Sequence, residues 1–266
     1  MFQTLRNIFA KPAAAPEASV PAGQRVYAVG DVHGRLDLFD ALRDLIEQDD
    51  AAQGAADTTV ILLGDLVDRG ADSAGVVRTA RTWQQQRRVR ILAGNHEEMF
   101  LRGRVELEVF RHFLRHGGKE TILSFGVDPD AFTVATMEQA QALMLEAVPP
   151  EDVAFIEGFE DSIAIGDYLF VHAGVQPGVP LDEQKTSDLR WIREPFLSHP
   201  DPFGAVVVHG HSIREDAEDK GNRIGIDTGA YMTGKLTALV LEGDNRRFLE
   251  AVDLGNGSIR TSEVTG

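Results

Sequence analysis

The chain has 266 residues, 43% of them hydrophobic and 26% charged, the proportions of an ordinary globular protein with room for one large domain or two small ones. Its 42 acids against 26 bases leave a net charge of −16, which repels phosphate backbones, so no nucleic-acid partner is expected. The absence of cysteine excludes disulfides and thiolate metal sites and fits a reducing compartment. No run of about 18 apolar residues is present to span a membrane, and a cytoplasmic location is expected.

The opening MFQTLRNIFA lacks the continuous apolar core of a signal peptide. Phe2, Leu5, Ile8 and Phe9 fall on one face of a short helix, and the Ala/Pro-rich stretch at 12–21 reads as a linker. Residues 1–23 are therefore expected to form a flexible N-terminal segment. From Arg25 the pattern becomes strand, helix, strand, helix, strand: RVYAV, LDLFDALRDLIEQ, TTVILL, SAGVVRTARTWQQQ and VRIL. Alternation at these lengths predicts parallel βαβ units, with Trp83 in the core. Residues 97–158 read as mostly helical. SIAIGDYLFVHAG then predicts a hairpin turning at Gly166-Asp167, and AVVVHGHS a strand running into histidines. NRIGID, LTALVLEG and RFLEAVDL add further strands. With no linker-like composition from Arg25 to Leu254, residues 24–254 read as one domain whose two halves each contribute a sheet. Residues 255–266 read as a tail.

The three early strands all end in glycine-led polar clusters: Gly30-Asp31, Gly64-Asp65 and Gly94-Asn95. Sites in open α/β sheets form outside the carboxyl ends of strands, so these clusters should converge. Alternation along an extended chain would turn Asp31 and His33 to the same side. Later segments add His172, His209 and His211. Carboxylate, imidazole and amide oxygen without sulfur suit Mn²⁺, Fe or Zn²⁺, and so many imidazoles argue against Ca²⁺ or Mg²⁺ alone. Six or seven such groups exceed what one ion takes from protein, so one of them can bridge two ions about 3.5–4 Å apart. Asp65, at the end of the expected central strand of the sheet, is the natural bridge. Taken singly, each aspartate reads as a helix cap or turn former and each histidine as a structural residue. Their joint placement beside glycines at strand ends is what points to a site. His112 and His116, four apart, lack a further ligand at suitable spacing and read as surface residues.

GDVHG at 30–34, GDLVDRG at 64–70, GNHE at 94–97, VHAG at 171–174 and HGHS at 209–212 resemble, in order, the motifs of the metallophosphoesterase superfamily. Within it the form is similar to the phosphoprotein phosphatases of the compact bacterial and phage serine/threonine type, from Arg25 to about Glu242. The resemblance implies an α/β (α+β) fold, a four-layer αββα sandwich of two mixed sheets flanked by helices, with 97–158 on the substrate side. It implies two divalent ions, Mn favoured over Fe or Zn. Asp31, His33 and Asp65 would hold the first, and Asp65, Asn95, His172 and His211 the second. His209 would support a ligand from behind or be structural, with contact to metal left open, and Ile213 stands where many other metallophosphoesterases carry a further histidine.

By the same resemblance the chain would be a binuclear-metal-dependent phosphomonoester hydrolase, in first place a protein-serine/threonine phosphatase acting on a phosphoprotein or a small phosphoester. A hydroxide shared by the ions would attack phosphorus in line, and Arg69, Asn95 and Arg193 would bind the phosphate. His96, oriented by Asp68 and with its pKa raised by it, would protonate the leaving group. Arg35 reads as a salt-bridge partner rather than a substrate contact, and Tyr231, in DTGAYMTGKL, as pocket border or plain packing. One rival is a symmetrical diadenosine tetraphosphatase-like hydrolase of dinucleoside polyphosphates. That group typically has alanine where Asp68 stands and aspartate where Glu97 stands. A phosphodiesterase or nuclease would be expected to carry the histidine that Ile213 replaces and a more basic surface. A binding scaffold without catalysis would be expected to have lost ligands, and none is missing. Oligomeric state leaves no mark on the sequence.

Overall fold

The computed structural model describes residues 18–264, so the reading of Phe2, Leu5, Ile8 and Phe9 lies outside the described residues. The chain begins with β1 (Gln24–Val29), α1 (Leu36–Ala52), β2 (Asp57–Leu62), α2 (Ser73–Gln86) and β3 (Val89–Ile91). The three strands pair in parallel, as the βαβ pattern predicts. A helical block follows: α3 (Asn95–Gly103), α4 (Leu107–Phe113), α5 (Lys119–Ser124), α6 (Pro129–Val134), α7 (Met137–Ala147) and α8 (Pro150–Glu157). The hairpin turning at Gly166-Asp167 is β4 (Ser162–Ile165) and β5 (Tyr168–Val171). Then come α9 (Thr186–Trp191), β6 (Val206–His209), β7 (Glu218–Asp219), β8 (Arg223–Gly225), α10 (Ala230–Thr233), β9 (Lys235–Glu242), β10 (Asn245–Asp253) and β11 (Ile259–Val264).

Two mixed sheets result, ordered β11-β10-β9-β1-β2-β3 and β4-β5-β6-β8-β7. Their stacking follows from the period-two alternation of β1 and β2, which are apolar on both faces. Tyr27, Val29, Val60 and Leu62 pack on Leu38, Leu42 and Ile46 of α1 and on Val76, Ala80 and Trp83 of α2. Val26, Ala28 and Ile61, with Leu63 just beyond β2, turn the other way, onto Ile163, Phe170, Val208 and Ile224 of the second sheet. Uncovering one face of β1 and β2 would expose four apolar side chains at about 1.5–3 kcal/mol each, close to the whole net stability of a domain. Both faces therefore need a cover. The far face of the second sheet, with Leu169, Val171 and Val207, is covered by Leu189 of α9 and by Phe196. The fold is the four-layer αββα sandwich. The helical block has its own core around Phe100, Phe110, Phe113, Met144 and Ile156, joined to the sandwich through Val67, Ala74 and Val77.

Three expectations are corrected. Residues 259–264 are not a tail: they form β11, paired with β10 from Phe248↔Val264 to Asp253↔Ile259. The pairing is carried by backbone bonds on a sheet edge, so it needs little of the apolar patterning that marks an inner strand. At the other end, residues from 18 onward are docked. Val20 is buried and its N–H donates to Gly243 O, and Tyr168 Oη donates to Ala18 O. Lastly, β2 is the middle of the three parallel strands but lies next to the edge of the full sheet, whose centre is formed by β9 and β1.

Candidate active site

The loops after β1, β2, β3, β5 and β6 all open at the carboxyl ends of their strands and carry Asp31/His33, Asp65/Asp68/Arg69, Asn95/His96, His172 and His211 to one place. Among the described residues, the non-glycine residues with left-handed φ are His33 (46°), Asp65 (50°), Asp68 (75°), Arg69 (70°) and His211 (61°). Each is a residue singled out from the motifs. Conformations of this kind cost about 1–3 kcal/mol apiece and persist only where surrounding bonds over-determine them. They also correct the alternation argument for Asp31 and His33: β1 ends at Val29, and a left-handed turn aims His33. Two glycines are required by close approach. A Cβ at Gly94 would collide with Asp65 Oδ1, and one at Gly210 with Asp31 Oδ1.

Asp65 stands between two groups of donor atoms. Its Oδ2 is 3.5 Å from His33 Nε2, and its Oδ1 is 3.4 Å from His172 Nε2. His33 Nδ1 donates to Val67 O and His172 Nδ1 to Leu63 O, both at 2.8 Å, which leaves each Nε2 unprotonated. A carboxylate oxygen can only accept, so on both sides of Asp65 acceptor faces acceptor with no proton to share. Asn95 Oδ1 adds a second oxygen on that side of His172, 3.0 Å from His172 Nε2 and 2.9 Å from His211 Nδ1. Two triads close within 4.8 Å: His33, Asp65 and His96, and Asp65, His172 and His211. Asp31 belongs to neither. Its Oδ2 accepts from His211 N–H at 3.0 Å, while its Oδ1 is buried without a partner. Lone pairs facing one another and an orphaned buried carboxylate oxygen fit divalent cations held by nitrogen and oxygen.

Protonation states agree. Burial pushes the Asp65 carboxyl up to about 6, with the His96 charge opposing, and Asp31 goes well above the carboxylate range through burial and the charges of Asp227 and Asp65. Burial holds His172 down to about 4, His211 to about 2 and His33 well below its usual value, so these imidazoles are neutral at pH 7, the form that can hold a cation. A carboxyl with a raised pKa favours the folded chain while protonated, below its ordinary value of about 3.9, and Asp65 loses that contribution as pH climbs through about 6. The depressed histidines act oppositely: their contribution is present above about 6.5 and lost as pH falls. A cation takes the place of the protons on the acids without displacing any from the histidines. The melting-temperature rise given by Mn²⁺ should therefore be small at pH 5 and grow by pH 8 to about 5–10 °C at a hundredfold excess over Kd. Equal shifts at both pH values would refute this balance.

On the side of His33, the Arg69 guanidinium donates through Nη1 to His33 Nε2 (3.0 Å) and through Nη2 to His96 Nε2 (3.1 Å). It also lies 4.5 Å over the ring of Tyr231, which meets His33 edge-on, so Tyr231 does border the site. Arg193 is exposed beyond α9, and among the described residues its side chain bonds only to Ser212 Oγ, at a long 3.4 Å. His96 Nδ1 donates to Asp68 Oδ2 at 2.6 Å, as the pairing predicted. The expected rise in its pKa is not found: burial lowers His96 to about 4, and burial raises Asp68, so dehydration outweighs the pairing.

The remaining candidates fall outside. His209 Nδ1 donates to Gly210 O and its ring packs edge-on against Phe196 at 5.0 Å, a structural role. Arg35 binds Asp37 and Asp253 and donates to Ala230 O, so it braces the loop before Tyr231 rather than reaching substrate. His112 and His116 meet at a tilt, 4.1 Å between centroids, and belong to neither triad.

Two residues were missed. Glu97, fully buried, accepts from the N–H groups of Gly94 (2.8 Å), Asp65 (2.9 Å) and Leu66 (2.7 Å), pinning the left-handed Asp65 turn to the start of α3. Its signal was available, since a glutamate three residues into a helix after Gly94 is half of a capping box. Asp227, after β8, is buried and pushed up to about 6 mainly by burial, and its charge acts on Asp31. No local pattern announces that contact.

A neutral-histidine and carboxylate cage for cations, with arginines beside it, is the equipment of a phosphoesterase. Residues 24–231 match the family model described as calcineurin-like phosphoesterase, and the chain belongs to that family. It is 28% identical to serine/threonine-protein phosphatase 1 of Salmonella typhimurium, over 80% of this chain and 90% of that protein. It is 24% identical to the asymmetrical bis(5'-nucleosyl)-tetraphosphatase PrpE of Anoxybacillus flavithermus, over 79% of this chain and 88% of that one. The fold is similar to the solved cold-active protein-tyrosine phosphatase of a psychrophilic Shewanella species (TM-score 0.53, 18% identity, 91% of this chain and 83% of that one). No helix among the described residues is long and apolar enough to cross a membrane.

Proposed function

We propose that this phosphoesterase is a metal-dependent phosphomonoester hydrolase of the serine/threonine protein phosphatase kind. Asp31, His33 and Asp65 would hold one divalent cation and Asp65, Asn95, His172 and His211 the other, Mn²⁺ in first place. Bound there, the cations would supply an activated water and offset phosphate charge. Arg69 and Arg193 offer planar forks for phosphate oxygens. Engaging phosphate draws Arg69 away from His96 Nε2 and frees that atom to hold the leaving group's proton. The phosphate's negative charge beside Nε2 offsets the burial that keeps the free imidazole neutral.

The observation that carries this reading is the 2.6 Å Asp68–His96 pair. A serine or threonine alkoxide is a poor leaving group and needs a proton, so an oriented imidazole is useful against a monoester. The name of the Anoxybacillus relative supports a second reading, hydrolysis of a dinucleoside polyphosphate. Cleaving a phosphoanhydride releases a phosphate that is stable as an anion, and the pair would then be idle. Turnover of a phosphoserine peptide, p-nitrophenyl phosphate and diadenosine tetraphosphate should be compared side by side with Mn²⁺. The peptide should give a higher kcat/KM than the dinucleotide. The reverse order overturns the proposal in favour of the second reading, and silence on all three leaves a binding scaffold.

A further inference from the structure

The Asp68–His96 pair has a third member, supplied by the helical block. Thr121 Oγ1 of α5 lies 2.6 Å from Asp68 Oδ1, 2.8 Å from Asp68 N and 3.0 Å from Ser73 Oγ, and all three residues are fully buried. A threonine hydroxyl has one proton and two lone pairs. A carboxylate oxygen only accepts and a backbone N–H only donates. The Thr121 proton therefore goes to Asp68 Oδ1, and its lone pairs receive the Asp68 N–H and the Ser73 hydroxyl. Asp68 thus has one oxygen on Thr121 and the other on His96 Nδ1.

The same segment holds the turn that carries Asp68. Asp68 and Arg69 are consecutive left-handed residues, with φ of 75° and 70°, and neither is glycine. Thr121 and Ser73 bind the first of their N–H groups, and Gly117 O accepts the second at 3.1 Å. A kink at Gly117, where φ is 101°, brings that carbonyl to Arg69, and a Cβ there would press on Arg69 N at 2.6 Å. The block from Gly117 to Thr121 is therefore built around the Asp68–Arg69 turn.

We propose that Thr121 is a positioning residue for proton donation: its hydroxyl fixes the Asp68 carboxylate in the plane that presents His96 Nε2 to the leaving oxygen. The proposal rests on the reading of His96 as proton donor. It makes the helical block part of the proton relay as well as a cover on the substrate side.

The test uses the full-length, Mn²⁺-loaded protein. Thr121→Val keeps the shape and removes the hydroxyl. Its kcat on a phosphoserine peptide should fall about 10–100-fold, the range of one hydrogen bond to a charged group, with KM unchanged. Its kcat on p-nitrophenyl phosphate, whose leaving group needs little protonation, should stay within about threefold. Thr121→Ser should retain both activities within about threefold, and Thr121→Cys, a weak donor, should lag Thr121→Ser on phosphoserine only. These two carry the test should Thr121→Val fail to fold. Equal losses on both substrates, or serine performing no better than cysteine on phosphoserine, overturns the proposal. His96→Asn in the same assay separates the two levels. If it shows the leaving-group dependence and the Thr121 variants do not, Thr121 alone is wrong. If it shows none, the proton-donor reading falls and the relay with it.

Discussion

Asp65→Asn should lower kcat/KM by about 10³-fold or more, because it removes several kcal/mol of charge stabilisation at about 1.4 kcal/mol per decade. The substitution keeps the volume, yet it changes an acceptor-only group into one with two amide protons. Both protons sit on one nitrogen, which would meet the Nε2 of either His33 or His172, 3.5 and 3.4 Å from the present carboxylate oxygens. The amide would then satisfy one histidine directly and close the place where a cation fits. Removing a buried carboxyl whose pKa stands near 6 relieves strain in the metal-free fold, so at pH 8 the variant should melt no lower than the metal-free parent. Metal content after dialysis, Mn²⁺ titration calorimetry and kcat/KM are the measurements. Two tightly held ions in the variant would refute the bridging role.

The second large effect belongs to His96→Asn. General acid catalysis typically contributes about 10²–10⁴-fold, so phosphoserine turnover should fall by about 10²–10³ while p-nitrophenyl phosphate turnover falls by about tenfold or less. Metal should stay bound, because the Nδ1 of His96 is committed to Asp68 and its Nε2 to Arg69. The alternative is that Nε2 serves as a ligand, since it lies 3.9 Å from Asp65 Oδ2 within the first triad. Metal content decides: its collapse in the variant would make His96 a ligand and void the acid assignment.

The site was legible in the sequence wherever short stretches carry their own chemistry. Gly-Asp and Gly-Asn after apolar runs mark strand ends that bear candidate ligands, and the structure brings Asp31, His33, Asp65, Asn95, His172 and His211 to one place. The layers were legible because β1 is apolar at every position from Val26 to Val29, which only a strand buried on both faces requires. What could not be read depends on contacts between distant segments or on backbone alone. Thr121 meets Asp68 across 53 residues of chain. Asp227 heads the DTGAYMTGKL stretch, but nothing in that stretch points to Asp31. β11 is held by main-chain bonds on an edge, with mostly polar side chains. His33 was placed on an extended run because nothing in DVHG requires the left-handed φ that aims it. For the His96 proton the sequence shows the partner, Asp68, but not the dehydration that opposes it.

The seam between the two sheets sets when activity can appear during synthesis. Asp31, Asp65 and Asn95 leave the ribosome early, but His172 and His211 wait for the second sheet, and β1 lacks its neighbour β9 until Glu242 has emerged. A growing chain therefore carries most of its motifs long before it has a cage for a cation. Pairing across so much intervening chain is slow to form, so the site can close only after Glu242 has emerged.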